Sequence, residues 1–199
     1  MADVKLQVAL DFVELRRALV VAEQAVAGGA DYVEAGTPLI KSEGLDAVRA
    51  LRKALPDRTV VADMKTMDAG RLETEAAAKA GADVVTVCGA ASLHTLRECV
   101  QAAGHYGCAV AVDLLELADP LAAADLAAEL GAAWLDVHCP IDAQMQGETP
   151  LELLRQLRQR TSLVLAVAGG ITSETAAAGA EAGADVIVVG GAITKAEDP

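Results

Sequence analysis

The sequence predicts an α/β chain folded as a (β/α)₈ TIM barrel, one domain over residues 1–199 that lacks a full eighth helix. The first observation behind this is an internal repeat. Ala27-Gly28-Gly29-Ala30-Asp31-Tyr32-Val33-Glu34, Lys79-Ala80-Gly81-Ala82-Asp83-Val84-Val85-Thr86, Leu130-Gly131-Ala132-Ala133-Trp134-Leu135-Asp136-Val137 and Ala182-Gly183-Ala184-Asp185-Val186-Ile187-Val188-Val189 are four versions of one phrase. Each reads as a helix end, a glycine cap, a short turn and a strand. The markers Gly29, Gly81, Gly131 and Gly183 stand about 50 residues apart, room for two strand-helix units per repeat and so for eight strands.

The second observation is that the other strands fall where this spacing needs them, as apolar runs at 6–10, 60–62, 109–112 and 163–167. Between the strands, Ala/Leu/Glu/Arg-rich segments at 45–55, 70–80, 92–104, 121–130 and 150–160 carry apolar residues at helical spacing. An open doubly wound sheet is the alternative, but eight near-identical units favour closure. The third observation is the end of the chain. After Val189 only residues 190–199 remain, too few for a full eighth helix. An apolar stripe beside the first strand is therefore expected to be exposed, through truncation of the chain or for a partner to cover.

Composition narrows the function. Over half of the residues are apolar, yet there is one Trp, one Phe and two Tyr, so the core is expected to be built from Ala, Val and Leu. A net charge of −13 with no basic run repels nucleic-acid phosphates and anionic lipids. No run approaches the roughly 18 to 20 apolar residues of a membrane span, and the expected location is cytoplasmic. Cys88, Cys99, Cys108 and Cys139 have neither C-x-x-C spacing nor the density of a disulfide scaffold, and read as small buried hydrophobes.

Barrels of this kind gather their chemistry at the C-terminal strand ends. Those ends carry Asp11, Glu34, Asp63 with Lys65, Cys88-Gly89, Asp113, His138, Gly169-Gly170 and Gly190-Gly191. The densest is Asp63-Met64-Lys65-Thr66-Met67-Asp68, two carboxylates and an ammonium directly after a buried strand. Buried charges must pair, bind a metal or face a cleft, so this stretch reads as a catalytic floor. A plain salt bridge is the competing reading, because residues two apart on an extended strand point to one side.

Gly169-Gly170 and Gly190-Gly191 follow the seventh and eighth strands. There, backbone N–H groups can approach phosphate oxygens and a following helix adds its dipole, so a phosphate monoester is expected. Glu34 and Asp63 end neighbouring strands and offer hard oxygen ligands suited to Mg²⁺, or else form a strand-end pair held by Lys65 and backbone amides. His138 is the only histidine at a strand end and suits acid/base work near neutral pH, whereas His94 and His105 fall in or beside a helix. Cys139 has no second thiol at ligand spacing.

The Asp-x-Lys-x-x-Asp at Asp63, Lys65 and Asp68 resembles the signature of the orotidine 5'-monophosphate decarboxylase superfamily. Within it, the phrases at 6–11, 33–40, 62–70, 166–171 and 189–194 narrow the likeness to the 3-hexulose-6-phosphate synthase family, in its archaeal-type wording. The resemblance implies a Mg²⁺-dependent, reversible aldol condensation of formaldehyde with D-ribulose 5-phosphate through an enediolate. It implies that Glu34 and Asp63 hold the metal, that Lys65 stabilises the enediolate, that His138 is the acid/base and that Asp11 orients Lys65 or a sugar hydroxyl. It further implies a homodimer in which Asp68 reaches the neighbouring subunit's site. Where the family follows its histidine with a small residue and glycine, this chain has Cys139-Pro140, so the loop presenting His138 is expected to be stiffened or displaced.

Other readings stay open at this point. A 3-keto-L-gulonate 6-phosphate decarboxylase would share the scaffold, although Gly191-Ala192-Ile193-Thr194 resembles the synthase and an arginine there would have pointed to the decarboxylase. Lys65 could serve as the Schiff base of a class I aldolase. The chain could also be a non-catalytic barrel, an assembly scaffold or one domain of a longer fusion.

Overall fold

The computed structural model describes residues 4–197 and 199. In chain order the elements are β1 (Lys5–Leu10), α1 (Leu15–Ala27), β2 (Tyr32–Ala35), α2 (Thr37–Glu43), α3 (Asp46–Ala54), β3 (Thr59–Thr66), α4 (Gly70–Ala80), β4 (Val84–Cys88) and α5 (Leu93–Tyr106). They continue with β5 (Ala109–Asp113), α6 (Pro120–Leu130), β6 (Trp134–His138), α7 (Ile141–Gln144), α8 (Leu151–Arg160), β7 (Val164–Ala168), α9 (Ala176–Glu181), β8 (Val186–Val189) and α10 (Gly191–Thr194). The strands close in sequence order, all parallel, with Lys5 of β1 opposite Val186 of β8. The open-sheet alternative is thereby excluded.

Alternation along each strand sorts side chains between two layers. Outward residues such as Val8, Val33, Leu135 and Leu165 are fully buried against the helices. Inside the barrel the lower layers are apolar, with Ala9, Ala166, Val186 and Val188 packed together and Val61, Val84 and Ala111 beside them. Tyr32 and Trp134 meet there with ring centroids 5.8 Å apart, so half of the chain's four aromatic residues plug the barrel. Toward the C-terminal strand ends the lining turns polar, with Thr86 and the carboxylates of Glu34, Asp63 and Asp113, all buried, while buried Gln7 stands level with Tyr32 and Val188. A plug of fixed apolar side chains below leaves the C-terminal end as the place where charged groups can meet solvent.

The repeat has a physical basis at the opposite end of the barrel. Asp31, Asp83 and Asp185 each accept the first free N–H of the preceding strand, from Leu6 (2.9 Å), Val60 (2.7 Å) and Leu165 (2.9 Å). Arg52 pairs with Asp83 and Arg158 with Asp185, and each arginine stem lies across the glycine two residues before its aspartate. A Cβ on Gly81 or Gly183 would stand 2.8 or 2.5 Å from that stem, and both glycines have φ above +100°. Glycine is required twice over at these two positions.

The eighth helix is indeed reduced to the four residues of α10. Among the described residues the exposed stripe predicted beside the first strand is not found. Val8, Ile187 and Val189 are at most 6 % exposed, because α1 and α10 pack on β1, α9 packs on β8, and Ile193 of α10 seats against both arcs of the barrel-helix core. A short helix with one well-placed isoleucine closes the gap.

Candidate active site

The C-terminal strand ends enclose a cavity of about 730 Å³ that reaches Asp11, Glu34, Asp63, Lys65 and His138 as well as all four glycines of the two Gly-Gly pairs. Of the strand-end and loop residues singled out from the sequence, Cys88 and Gly89 after β4 do not line it, and Asp68 stands apart from it. Its carboxylate is exposed and turns back to accept the Ala69 N–H at 2.7 Å.

Lys65 is the hub, and the reading of an extended strand through it needs correction. The β3–β4 pairing shifts register between Ala62 and Thr66, and Lys65 adopts φ +44°, a conformation that costs a non-glycine residue roughly 1–2 kcal/mol. Its N–H is taken by Thr86 Oγ1 at 3.0 Å, which holds the bulge. The side chain then lies between two carboxylates, with Nζ 2.6 Å from Asp113 Oδ2 and 3.1 Å from Asp63 Oδ1. Burial alone would favour the neutral amine, but Asp63 and Asp113 outweigh it and hold the Lys65 ammonium above its ordinary range.

Each carboxylate is fixed in turn. Asp63 accepts from Thr86 Oγ1 (2.8 Å) and Thr37 Oγ1 (2.6 Å). Asp113 accepts the Leu115 N–H at 2.9 Å and stands 3.4 Å from His138 Nδ1. Burial would raise the Asp113 pKa, but the His138 contact and the Lys65 charge overcome it and keep this carboxyl below its usual range. Lys65 Nζ is thus bonded to Asp63 and Asp113, while Asp11, expected to orient Lys65 or a sugar hydroxyl, lies elsewhere in the cavity. Asp11 instead backs onto Gly36, where a Cβ would sit 2.2 Å from Oδ1, and faces Gly190.

His138 is not displaced by Cys139-Pro140. The Cys139 N–H continues the sheet to Ala168 O at 3.0 Å, and Pro140 O accepts the Gln144 N–H to start α7, so the departure from the family wording leaves the imidazole in the cavity. Cys139 itself is buried. The glycine pairs line the far side, but neither precedes a long helix, since α9 and α10 have six and four residues. The predicted helix-dipole contribution is absent, and what remains is close backbone approach. A Cβ on Gly169 would come within 2.3 Å of Cys139 O.

The residues that sequence reasoning missed are Thr37, Thr86, Gln144, Lys195 and Asp136. For Asp136 a signal was available, because it alternates with His138 on β6 and must point inward with it. Burial, then the charges of Asp113 and Asp63, push the Asp136 carboxyl well above its ordinary pKa. Its native state thus holds the proton longer than the unfolded chain does. That stabilisation is complete below the ordinary carboxylate value of 3.8 and declines as pH rises through the raised native value. Asp136→Asn removes this titration. In chelator, its thermal midpoint is expected to gain on wild type by about 2–4 °C more at pH 8 than at pH 4.5; an equal difference at both pH values would contradict it.

The donor set also bears on a metal. Among the described residues no cluster of three His, Cys, Asp or Glu groups forms a ready cage. Magnesium needs only one or two carboxylates, however, with the remaining positions left to water and substrate oxygens. Glu34 is bound through Oε2 to Gln7 at 2.5 Å, and burial followed by the charges of Asp63, Asp11 and Asp136 raises its pKa well above normal. Five carboxyl groups line the cavity against three lysines and one histidine. A divalent cation at Glu34 and Asp63 fits this excess of negative charge.

The sequence model of the orotidine 5'-phosphate decarboxylase / HUMPS family matches residues 4–199. The chain belongs to this family. Among HUMPS-family relatives, the chain is 44% identical over 195 residues to a 3-hexulose-6-phosphate synthase of Mycobacterium gastri, covering 98% of this chain and 94% of that protein. It superposes on the crystal structure of 3-hexulose-6-phosphate synthase from Salmonella typhimurium with a TM-score of 0.93, at 40% identity over 98% of this chain and 92% of the other. A 3-keto-L-gulonate-6-phosphate decarboxylase from Vibrio cholerae gives a TM-score of 0.87 at 31% identity, again over 98% and 92%.

Proposed function

We propose that this chain is a 3-hexulose-6-phosphate synthase, an aldehyde-lyase that joins formaldehyde to D-ribulose 5-phosphate, reversibly, to give D-arabino-hex-3-ulose 6-phosphate. The observation that carries the reading is the Lys65 ammonium held between Asp63 and Asp113, with His138 on the same Asp113 oxygen, in a cavity whose other side is two glycine pairs. Higher identity to synthases than to the decarboxylase supports the choice between them.

A Schiff-base lysine must be neutral to attack a carbonyl, whereas the two carboxylates keep Lys65 charged. Its role is electrostatic. As His138 removes a proton from C1 of ribulose 5-phosphate, negative charge grows on the adjoining oxygens and the fixed ammonium stabilises it without reorganisation. The carbanionic C1 then attacks formaldehyde, and His138 returns a proton to the new alkoxide. Gly169, Gly170, Gly190 and Gly191 receive the phosphate, and Asp11 orients a sugar hydroxyl. Glu34 and Asp63 would hold Mg²⁺, which when bound supplies further positive charge to neighbouring sugar oxygens.

Exposed Met67 and Leu72 flank Asp68 and its turn, which supports a homodimer in which Asp68 serves the neighbouring site. A cytoplasmic location accords with this chemistry, and no helix among the described residues is long and apolar enough to cross a membrane.

Formaldehyde loss in the presence of ribulose 5-phosphate tests the activity. Consumption that depends on Mg²⁺ is expected; a folded protein that consumes no formaldehyde, but releases CO₂ from 3-keto-L-gulonate 6-phosphate, would replace this reading with the decarboxylase. Metal binding has its own readout. Mg²⁺ at 100 times its dissociation constant stabilises a single site by about 2.7 kcal/mol, or about 5–10 °C in a chain of this size. Glu34→Gln is expected to lose most of that shift, and equal shifts in both proteins would remove Glu34 as a ligand.

A further inference from the structure

Glycine N–H groups offer dipoles to a phosphate but no net charge, and a sugar phosphate carries close to two negative charges at neutral pH. Three lysines line the cavity. Lys65 is committed to Asp63 and Asp113, and Lys41 rises from α2, which packs against β3. Lys195 stands directly after α10, one turn beyond Gly191, and its N–H donates to Gly191 O at 3.1 Å. Side chains four apart on a helical turn meet, and the longer one leans back toward the helix start. Here the stem of Lys195 runs back along Gly191, with Cε 3.7 Å and Nζ 3.8 Å from where a Cβ on that glycine would lie. Among the described residues its ammonium makes no ion pair, and it lines the cavity beside Gly190 and Gly191.

We propose that Lys195 is the side-chain cation that binds the substrate's phosphate in this chain, folded back over Gly191 to complete a cradle that the two glycine pairs leave without charge. The assignment rests on the sugar-phosphate reading above. Lysine serves as a compact point charge whose flexible stem lets it follow the phosphate, and its exposure leaves the fold independent of it.

The test compares D-ribulose 5-phosphate with unphosphorylated D-ribulose by titration calorimetry on the Mg²⁺-loaded protein, in wild type, Lys195→Met and Lys195→Arg. Wild type is expected to prefer the phosphate, Lys195→Met to lose about ten- to a hundredfold of affinity for it with binding of D-ribulose unchanged, and Lys195→Arg to recover most of the loss. A wild type that prefers the phosphate, together with an equally selective Lys195→Met, overturns the role of Lys195 alone. A wild type that binds both sugars alike overturns the sugar-phosphate reading and this assignment with it.

Discussion

Lys65→Met is expected to lower kcat/KM for formaldehyde and ribulose 5-phosphate by about 10²–10³-fold, the range seen when one preorganised donor to a developing oxyanion is removed. Methionine keeps much of the stem and removes only the charge. It also leaves Asp63 and Asp113, whose side chains are 8% and 1% exposed, without their shared cation. Breaking a buried pair from one side costs about 3–5 kcal/mol, and the donors that remain on Asp63 (Thr37 and Thr86) and Asp113 (Leu115 N–H) place the expected loss near the lower end.

The pH dependence has a definite sign. Asp113 titrates below its ordinary value, so its stabilisation is present above pH 3.8 and is lost as pH falls through the depressed native value. Lys65 titrates above 10.5, so its contribution is complete below that pH and is lost only on further rise. The stability gap between wild type and Lys65→Met should therefore be flat across neutral pH and narrow in acid. Thermal melts from pH 3 to pH 8 would check this, and a gap that widens in acid would contradict it.

Asp113→Ala is the second large effect. Asp113 is a positioning residue, because one oxygen faces both Lys65 Nζ and His138 Nδ1 while the other is anchored on Leu115 N–H. Removing it frees the imidazole and leaves the ammonium with a single carboxylate. Activity is expected to fall about 10²-fold, a scale set by misplacing a group in the reacting constellation. A structural role alone would not move the alkaline limb of the pH–rate profile. Loss of Asp113 takes away part of what holds the Lys65 proton, so that limb is expected to shift to lower pH; an unmoved limb would separate Asp113 from the chemistry.

The barrel was legible because its signals are local and repeated. Predicted helices at 70–80 and 150–160 match Gly70–Ala80 and Leu151–Arg160, since glycine and polar turns mark their ends. The glycine phrase also located the strands, although the reason for its aspartates, capping N–H groups across the barrel floor, emerges only in three dimensions. Pairings across the closed ring stayed hidden. Lys65 meets Asp113 from 48 residues away, and nothing in either stretch names the other. The left-handed backbone at Lys65 was equally invisible, because side-chain pattern carries no sign for a bulge held by Thr86. Resemblance implied that Asp11 orients Lys65 or a sugar hydroxyl, and the carboxylates bonded to the Lys65 ammonium are those of Asp63 and Asp113.

The Lys65 cluster is expected to generate an enediolate from ribulose 5-phosphate, a step that can be isolated from the later carbon–carbon bond. Proton NMR in D₂O, with Mg²⁺ and without formaldehyde, would follow exchange of the C1 hydrogen. Wild type is expected to exchange one C1 hydrogen stereospecifically and Lys65→Met to lose that exchange in proportion to its loss of turnover. Exchange that persists undiminished in a Lys65→Met protein unable to consume formaldehyde would show that the enediolate forms without the Lys65 ammonium.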